Sequence, residues 1–336
     1  MTLRVAINGF GRIGRAFFRR ALGERGIEIA AINDPSGLEI AAHLLHYDSV
    51  AGPYRGRIDH NDTMLRVNGK TIPFFCRKDP AELPWRPEGI DLVLEASGIF
   101  TARSDAARHL EAGAGMVIIT APSPESDLTV VMGVNHDEFH PGRHRIVSNA
   151  SCTTNCMAPL LSVIDGAFGI EHGFFTTVHS YTNGQALLDQ PHEDLRRARA
   201  GALNMIPTTT GVLRALYHVL PGLKGRIDGM SIRVPVPNVS LVDLVLTVGR
   251  ETDAGEVNRS LERASRGRLR GIIACTEEEL VSADYRGNEH SAVVDSLLTA
   301  VIGGNMVRVV AWYDNEAAFA RRLVELVRLA GKASVR

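Results

Sequence analysis

A chain of 336 residues, 45% apolar and 22% charged, carries enough material for a large core and two domains. Its net charge of −1 argues against a nucleic-acid or membrane-surface partner. No apolar run reaches the roughly 18 to 20 residues of a bilayer span.

The opening MTLRVAING lacks the charged start and long apolar core of a signal peptide and is expected to be a first strand. LRVAI (3–7), IEIAAI (27–32), DLVLEA (91–96), MVIIT (116–120) and RIVS (145–148) have the unbroken apolar character of buried parallel strands. GRAFFRRALGE and RSDAARHLEAG between them have helical spacing. This alternation predicts an α/β fold with a doubly wound sheet. After about residue 150 the pattern changes. Residues 172–181, 228–248 and 306–314 form longer, alternating, proline-interrupted runs, which predict a mixed or antiparallel sheet with helices near 208–220 and 253–266. Residues 182–207 have no clean period and are expected to form a long ordered loop. EAAFARRLVELVRLAG predicts an amphipathic C-terminal helix. Four cysteines (Cys76, Cys152, Cys156 and Cys275) are too few for a disulfide framework, so reduced thiols and a cytoplasmic location are expected.

VAINGFGRIGR places Gly9, Gly11 and Gly14 in a G-x-G-x-x-G pattern after a strand and at the start of a helix. Asp34 follows twenty residues later, at the end of the second strand. Glycines there allow a tight turn and close approach to a pyrophosphate, and an acid at that distance accepts from a ribose hydroxyl, which favours NAD. The competing explanation is a plain glycine turn.

SNASCTTNCMAP holds two of the four cysteines. Helix initiation near Ser151–Thr154 puts Cys152 at an N-terminus, where a thiol is activated, and Cys156 one turn inside, where it packs as a small hydrophobe. A C-x3-C pair without further ligands is poor evidence for a metal, and it lacks the C-x-x-C spacing of a redox disulfide. His60, His140 and His144 lie in polar stretches, whereas His179 ends a strand and starts the long loop. That position suits a catalytic base and equally suits a satisfied core histidine. Arg196, Arg197 and Arg199 cluster in the loop, Arg233 stands in an apolar strand, and IPTTTG (206–211) would open a helix as an anion cradle. These suggest one or two phosphate sites; a salt-bridged loop with one snorkelling arginine is the plainer alternative.

Together INGFGRIGR, AINDP, SNASCTTNCMAP, TTVHSYTN, DLRRARAGALNMIPTTTG, RVPVPNVSLVDL and WYDNE resemble phosphorylating glyceraldehyde-3-phosphate dehydrogenase, in order from about residue 2 to 330. The resemblance implies a Rossmann-type NAD-binding domain, assigned to 1–150 and 316–336 with the C-terminal helix packed back, and an α+β catalytic domain over 151–315. It implies Cys152 as nucleophile, His179 as its base in an ion pair, and a thioester released by inorganic phosphate. Thr182 and Arg233 match the site for the phosphate of glyceraldehyde 3-phosphate. Ser151, Thr153, Arg197, Thr210 and Gly211 match the site for attacking phosphate. Gly9, Gly11, Arg12, Ile13, Gly14, Asp34, Lys78, Thr120 and Asn315 match NAD contacts, and Lys78 stands where arginine is usual. The implied assembly is a homotetramer in which the long loop packs at a subunit interface and reaches a neighbour's cofactor.

The chain departs from the family at NEAAFA (315–320), where the usual pattern is N-E-W-G-Y-S, so Ala317 and Phe319 replace tryptophan-like and tyrosine positions. Gln190 stands where leucine precedes proline in NAD-specific members, and Gly184 is a smaller change. The alternatives are an erythrose-4-phosphate dehydrogenase, towards which Phe319 leans, or a regulatory paralogue with little activity.

Overall fold

The unbroken apolar runs of the first half are strands buried on both faces. The computed structural model describes residues 2–333. Its first unit comprises residues up to 130, 135–150 and 320 onward. There β1 (Leu3–Asn8), β2 (Ile27–Asn33), β3 (Ile58–His60), β4 (Met64–Val67), β5 (Lys70–Phe75), β6 (Leu92–Glu95), β7 (Met116–Ile119), β8 (Leu128–Thr129) and β9 (Ile146–Ser148) form one sheet. Its order is β3-β4-β5-β2-β1-β6-β7-β9-β8. The strands from β5 across to β8 are parallel. Helices α1 (Arg12–Ala21), α2 (Leu38–His46) and α3 (Arg103–Glu111) make the crossovers, and α1 buries Phe17 and Phe18. The chain winds one way from β1 through β2 and the other way from β6 through β7. The β1–β6 boundary is therefore the switch point, where a crevice opens at the carboxyl ends of the strands.

Residues 38–75 hold α2 and the antiparallel β3–β4–β5 meander, neither of which the apolar runs announce. The β4–β5 turn is Asn68–Gly69, with φ of 50° and 82°, the left-handed pair that suits a two-residue hairpin.

The second unit comprises 131–134 and 151–319. It contains α4 (Cys152–Phe168), β10 (Ile170–Ser180), β11 (Ile206–Thr208), α5 (Val212–Val219), β12 (Ile227–Val234), β13 (Ser240–Val248), α6 (Ala254–Arg266), β14 (Ile273–Thr276), β15 (Ala292–Asp295), β16 (Ala300–Ile302) and β17 (Met306–Tyr313). Sheet order is β11-β12-β10-β13-β17-β15-β14, with β16 beside β17. β10 pairs parallel with β12 and antiparallel with β13, so the sheet is mixed. α4 packs against β10, β13, β15 and β17. Phe174, Met230 and Val245 remain exposed on the sheet.

One local expectation is corrected. Ile206–Thr208 does not open a helix; it is an edge strand opposite Ser231–Arg233, and α5 begins only at Val212. A β-branched run with Pro207 in it suits an edge strand better than a helix start. α7 (Ala317–Ala333) starts in the second unit, and its later turns belong to the first, where Arg321 and Arg328 reach Glu24. No described helix is long and apolar enough to cross a membrane.

Candidate active site

The glycine loop follows β1 at the switch point. Gly9 sits at φ 90°, and a Cβ on it would lie 2.4 Å from the Ser97 nitrogen. A Cβ on Gly14 would lie 2.1 Å from the Gly9 oxygen. Both positions are closed to any side chain by the protein itself. A Cβ built on Gly11, at the N-cap of α1, would meet nothing within 4 Å. The first turn of α1 contains no acid, so the positive end of the helix is turned to that space without an acid of its own turn. This is a cradle that fits a dinucleotide pyrophosphate. Asp34 closes onto the same loop: its Oδ2 accepts from Phe10 N at 2.6 Å, and its Oδ1 accepts from Ser36 N and Oγ at 2.9 and 2.6 Å. Ile13 is half-buried beside Arg12, which pairs with Asp48 at 3.1 Å. Thr120 N donates to Glu95 O at 3.0 Å, and Lys78 is exposed just after Arg77.

The thiol site is built on the second unit. Ala150, at φ 57°, turns the chain after β9 into α4, an uncommon conformation for a residue with a Cβ. Ser151 caps α4, its Oγ accepting from Thr154 N at 3.0 Å. Cys152 is therefore the first helical residue, with its own N–H free of helix bonding. Its Sγ lies 3.5 Å from Nε2 of His179, at the end of β10. His179 faces Arg233 directly across the parallel β10–β12 pair. Ser180 O lies 2.7 Å from His179 Nδ1 and accepts Arg233 Nη1–H at 3.0 Å, and Arg233 Nη1, which can only donate, lies 2.6 Å from the same Nδ1. In the tautomer that donates from Nδ1 to Ser180 O, Nε2 presents its lone pair to the thiol; in the tautomer that accepts from Arg233, Nε2–H points at it.

Burial pushes the Cys152 thiol up, while the Arg233 charge and the Thr153 side chain and N–H pull it down. Burial, then Arg233, push His179 down to about 3. Burial thus works against charge on both groups, and Arg233 favours the thiolate while opposing the imidazolium. Desolvation outweighs the helix N-terminus and the arginine. The arrangement is a thiol poised on a neutral base. Cys156 is fully buried, and burial drives its thiol well up, so it packs and does not react.

The anion-binding candidates beyond Arg233 lie in the segment after β10 and at the start of α5. Arg197 Nε donates to Thr208 Oγ1 at 2.6 Å and Nη2 to Thr209 O at 3.1 Å. Thr210 Oγ1 accepts from Val212 N at 3.3 Å beside Gly211, which caps α5. Thr182 donates its N–H and hydroxyl to Gln185 Oε1 at 2.8 and 3.1 Å. Asn315 accepts on Oδ1 from Val239 N and Ser180 Oγ, both at 3.0 Å, which leaves Nδ2 as its outward donor.

Two family models match this chain. One describes the NAD binding domain of glyceraldehyde 3-phosphate dehydrogenase and matches residues 3–103; the other describes its C-terminal domain and matches 151–315. The chain belongs to the glyceraldehyde 3-phosphate dehydrogenase family. It is 52% identical over 332 residues to glyceraldehyde-3-phosphate dehydrogenase 1 of Bacillus subtilis, with 99% of each chain covered. It is 53% identical over 326 residues to the Geobacillus stearothermophilus enzyme, with 97% of each covered. It is 49% identical over 334 residues to the Streptomyces coelicolor enzyme, with 98% of this chain and 99% of the other covered.

Within this family member the structure adds one residue that sequence reasoning passed over. Tyr313 is buried at the end of β17, with its hydroxyl 2.9 Å from Thr153 Oγ1 and 3.0 Å from Thr177 Oγ1. Its ring meets His179 edge-on at 6.1 Å. It thus fixes a phosphate-site candidate and the base together. The only signal in the sequence was its place in WYD, next to Asp314 and Asn315. The departures Ala317 and Phe319 are both buried.

Proposed function

We propose that this chain is an NAD-dependent, phosphorylating glyceraldehyde-3-phosphate dehydrogenase. The single observation that carries the chemistry is the Cys152 thiol, at a helix N-terminus, 3.5 Å from Nε2 of His179. Cys152 Sγ attacks the aldehyde carbon as its proton passes to His179 Nε2, giving a hemithioacetal. The developing oxyanion is met by the Cys152 N–H and by the newly protonated Nε2–H. The oxyanion takes that proton from Nε2–H and becomes the hemithioacetal hydroxyl. NAD held in the glycine cradle would accept the hydride of the hemithioacetal carbon, with His179 Nε2 taking the hydroxyl proton, so that a thioester on Cys152 remains. Inorganic phosphate then attacks the thioester carbonyl and expels the sulfur, releasing 1,3-bisphosphoglycerate. A thioester keeps the oxidation energy that a free acid would lose.

Arg233 and Thr182 hold the phosphate of glyceraldehyde 3-phosphate in this reading. Ser151, Thr153, Arg197, Thr210 and Gly211 hold the attacking phosphate. Residues 1–150 and 316–336 make the NAD-binding domain in this reading, and 151–315 the catalytic domain. Gly9, Gly11, Arg12, Ile13, Gly14, Asp34, Lys78 and Thr120 hold NAD, and the outward Nδ2 of Asn315 takes its carboxamide oxygen. Leu187, Leu188, Leu195, Leu203 and Met205 stand in the 182–205 loop with 72–83% of their surface in water, an apolar display that supports a homotetramer. Four free thiols are in keeping with a reducing cytoplasm.

The test is NADH formation, followed by absorbance, with glyceraldehyde 3-phosphate, NAD and phosphate, repeated with NADP and with erythrose 4-phosphate. Phosphate-dependent turnover is expected in the wild type, with at least a thousandfold loss in Cys152→Ser, roughly what removal of a covalent nucleophile costs. Undiminished turnover in that variant would sink the mechanism. Efficient turnover of erythrose 4-phosphate alone would reassign the substrate.

A further inference from the structure

One buried polar cluster of the first unit takes no part in the chemistry above. Glu95, at the carboxyl end of β6, is 2% exposed. Its Oε2 accepts from Asn8 Nδ2 at 2.5 Å and from His109 Nε2 at 2.9 Å. Its Oε1 accepts from Ser97 N at 2.8 Å and Ser97 Oγ at 2.5 Å. Two hydrogen-bond chains end on this one carboxylate. The first starts at Arg77 N–H, which can only donate, so Asn33 must present Oδ1 to it at 2.9 Å. Asn33 Nδ2 then donates to Asn8 Oδ1 at 2.7 Å, and Asn8 is left with only its amide hydrogens for Glu95. The second starts at the Trp85 indole N–H, which donates to His109 Nδ1 at 3.0 Å. That bond fixes the tautomer with hydrogen on Nε2 and aims it at Glu95. All these donors run one way, and Glu95 is their common terminus.

The segments tied in this way carry the dinucleotide cradle. Asn8 precedes Gly9, and Asn33 precedes Asp34. Gly9 N donates to Asn33 O at 2.8 Å, and Ala96 N to Asn8 O at 2.7 Å. Ser97 N is the atom that a side chain on Gly9 would strike. Arg77 precedes Lys78, and Glu95 O itself holds Thr120 N. We propose that Glu95 is the positioning residue of the NAD cradle: one acceptor that sets the carboxyl ends of β1, β2 and β6, and the segment after β5, against one another. The inference rests on the NAD reading above. A directional network specifies one arrangement where apolar packing would tolerate several.

Glu95→Gln in the full-length chain tests this, because an isosteric amide places donors where only acceptors fit. NAD affinity would be read by titration calorimetry, KM for each of the three reactants by rate, and folding by thermal midpoint. The expected result is a rise of about tenfold in Kd and KM for NAD, the scale of a lost buried bond to a charged acceptor. KM for glyceraldehyde 3-phosphate and for phosphate, and kcat at saturating NAD, should stay within about twofold. A lower thermal midpoint with unchanged NAD affinity in the folded fraction would make Glu95 merely architectural and overturn the proposal. If that variant does not fold, His109→Gln and His109→Leu decide. A glutamine can accept from Trp85 and donate to Glu95, so it should keep NAD affinity, and leucine should lose it; equal affinity in the two overturns the proposal. A wild type that binds no NAD would refute the cofactor reading itself, a different result from either.

Discussion

His179 stays neutral at pH values where water would protonate it. Burial and Arg233 keep its pKa at about 3, against 6.5 for the free side chain. Below about pH 6.5 the unfolded chain takes up a proton that the fold refuses, so stability falls as the pH drops from about 6.5 towards 3 and is unaffected above. His179→Asn should flatten that part of the stability–pH curve, as measured by denaturant unfolding at a series of pH values. An unchanged slope would place the acid sensitivity elsewhere. Tyr313 acts at the same scale by a different means. Tyr313→Phe leaves the ring against His179 and removes only the hydroxyl that holds Thr153 and Thr177. KM for phosphate should rise about three- to tenfold, the scale of one lost buried hydrogen bond, while KM for NAD stays put. Initial rates at varied phosphate decide it.

Elements were legible where one physical force dominated. The apolar runs at 3–7, 27–32, 91–96 and 116–120 are strands because both faces are covered, and hydrophobicity alone reports that. β3, β4 and β5 escaped because their exposed positions break the run, although Asn68–Gly69 is a sound hairpin signal between them. Residues 206–208 misled because hydroxyls before a helix look like caps. Their backbone instead pairs with Ser231–Arg233, a partner more than twenty residues away that no local pattern reveals. Caps that were local behave as expected. Asp253 accepts from Glu256 N at 2.7 Å at the start of α6, away from the thiol site. Asp253→Ala should cost about 1 kcal/mol and lower the thermal midpoint by about 2 to 4 °C, with kcat unchanged. A thermal scan beside an activity assay checks both halves.

At the scale of the whole chain, two units and a family were readable because the glycine loop, the cysteine segment and the long loop each carry several residues of one chemistry. What escaped were groups whose roles exist only in three dimensions. Glu95, Trp85 and His109 lie in ordinary stretches of sequence, and nothing in their spacing says that two hydrogen-bond chains converge. The desolvation of Cys152 and His179 was likewise hidden, since it is a property of the packed fold and not of neighbours in sequence. The exposed leucines of the 182–205 loop bear on assembly. If the proposed homotetramer packs through this loop, Leu195→Asp should shift the molecular mass measured by light scattering towards smaller species, because a charge in a desolvated contact is costly. An unaltered mass would move the contact away from that residue.

His179 and Arg233 lie opposite one another on neighbouring parallel strands. Their backbones are therefore a fixed step apart, about 4.8 Å, the spacing of any sheet. If one of them works at the aldehyde and the other grips the phosphate, the sheet serves as a ruler for the substrate. Side-chain exchange can trim the reading at either end, but the rung itself is set by hydrogen-bonded backbone and cannot stretch. A longer sugar phosphate must then be accommodated by the loop that carries Thr182, and not by the strands.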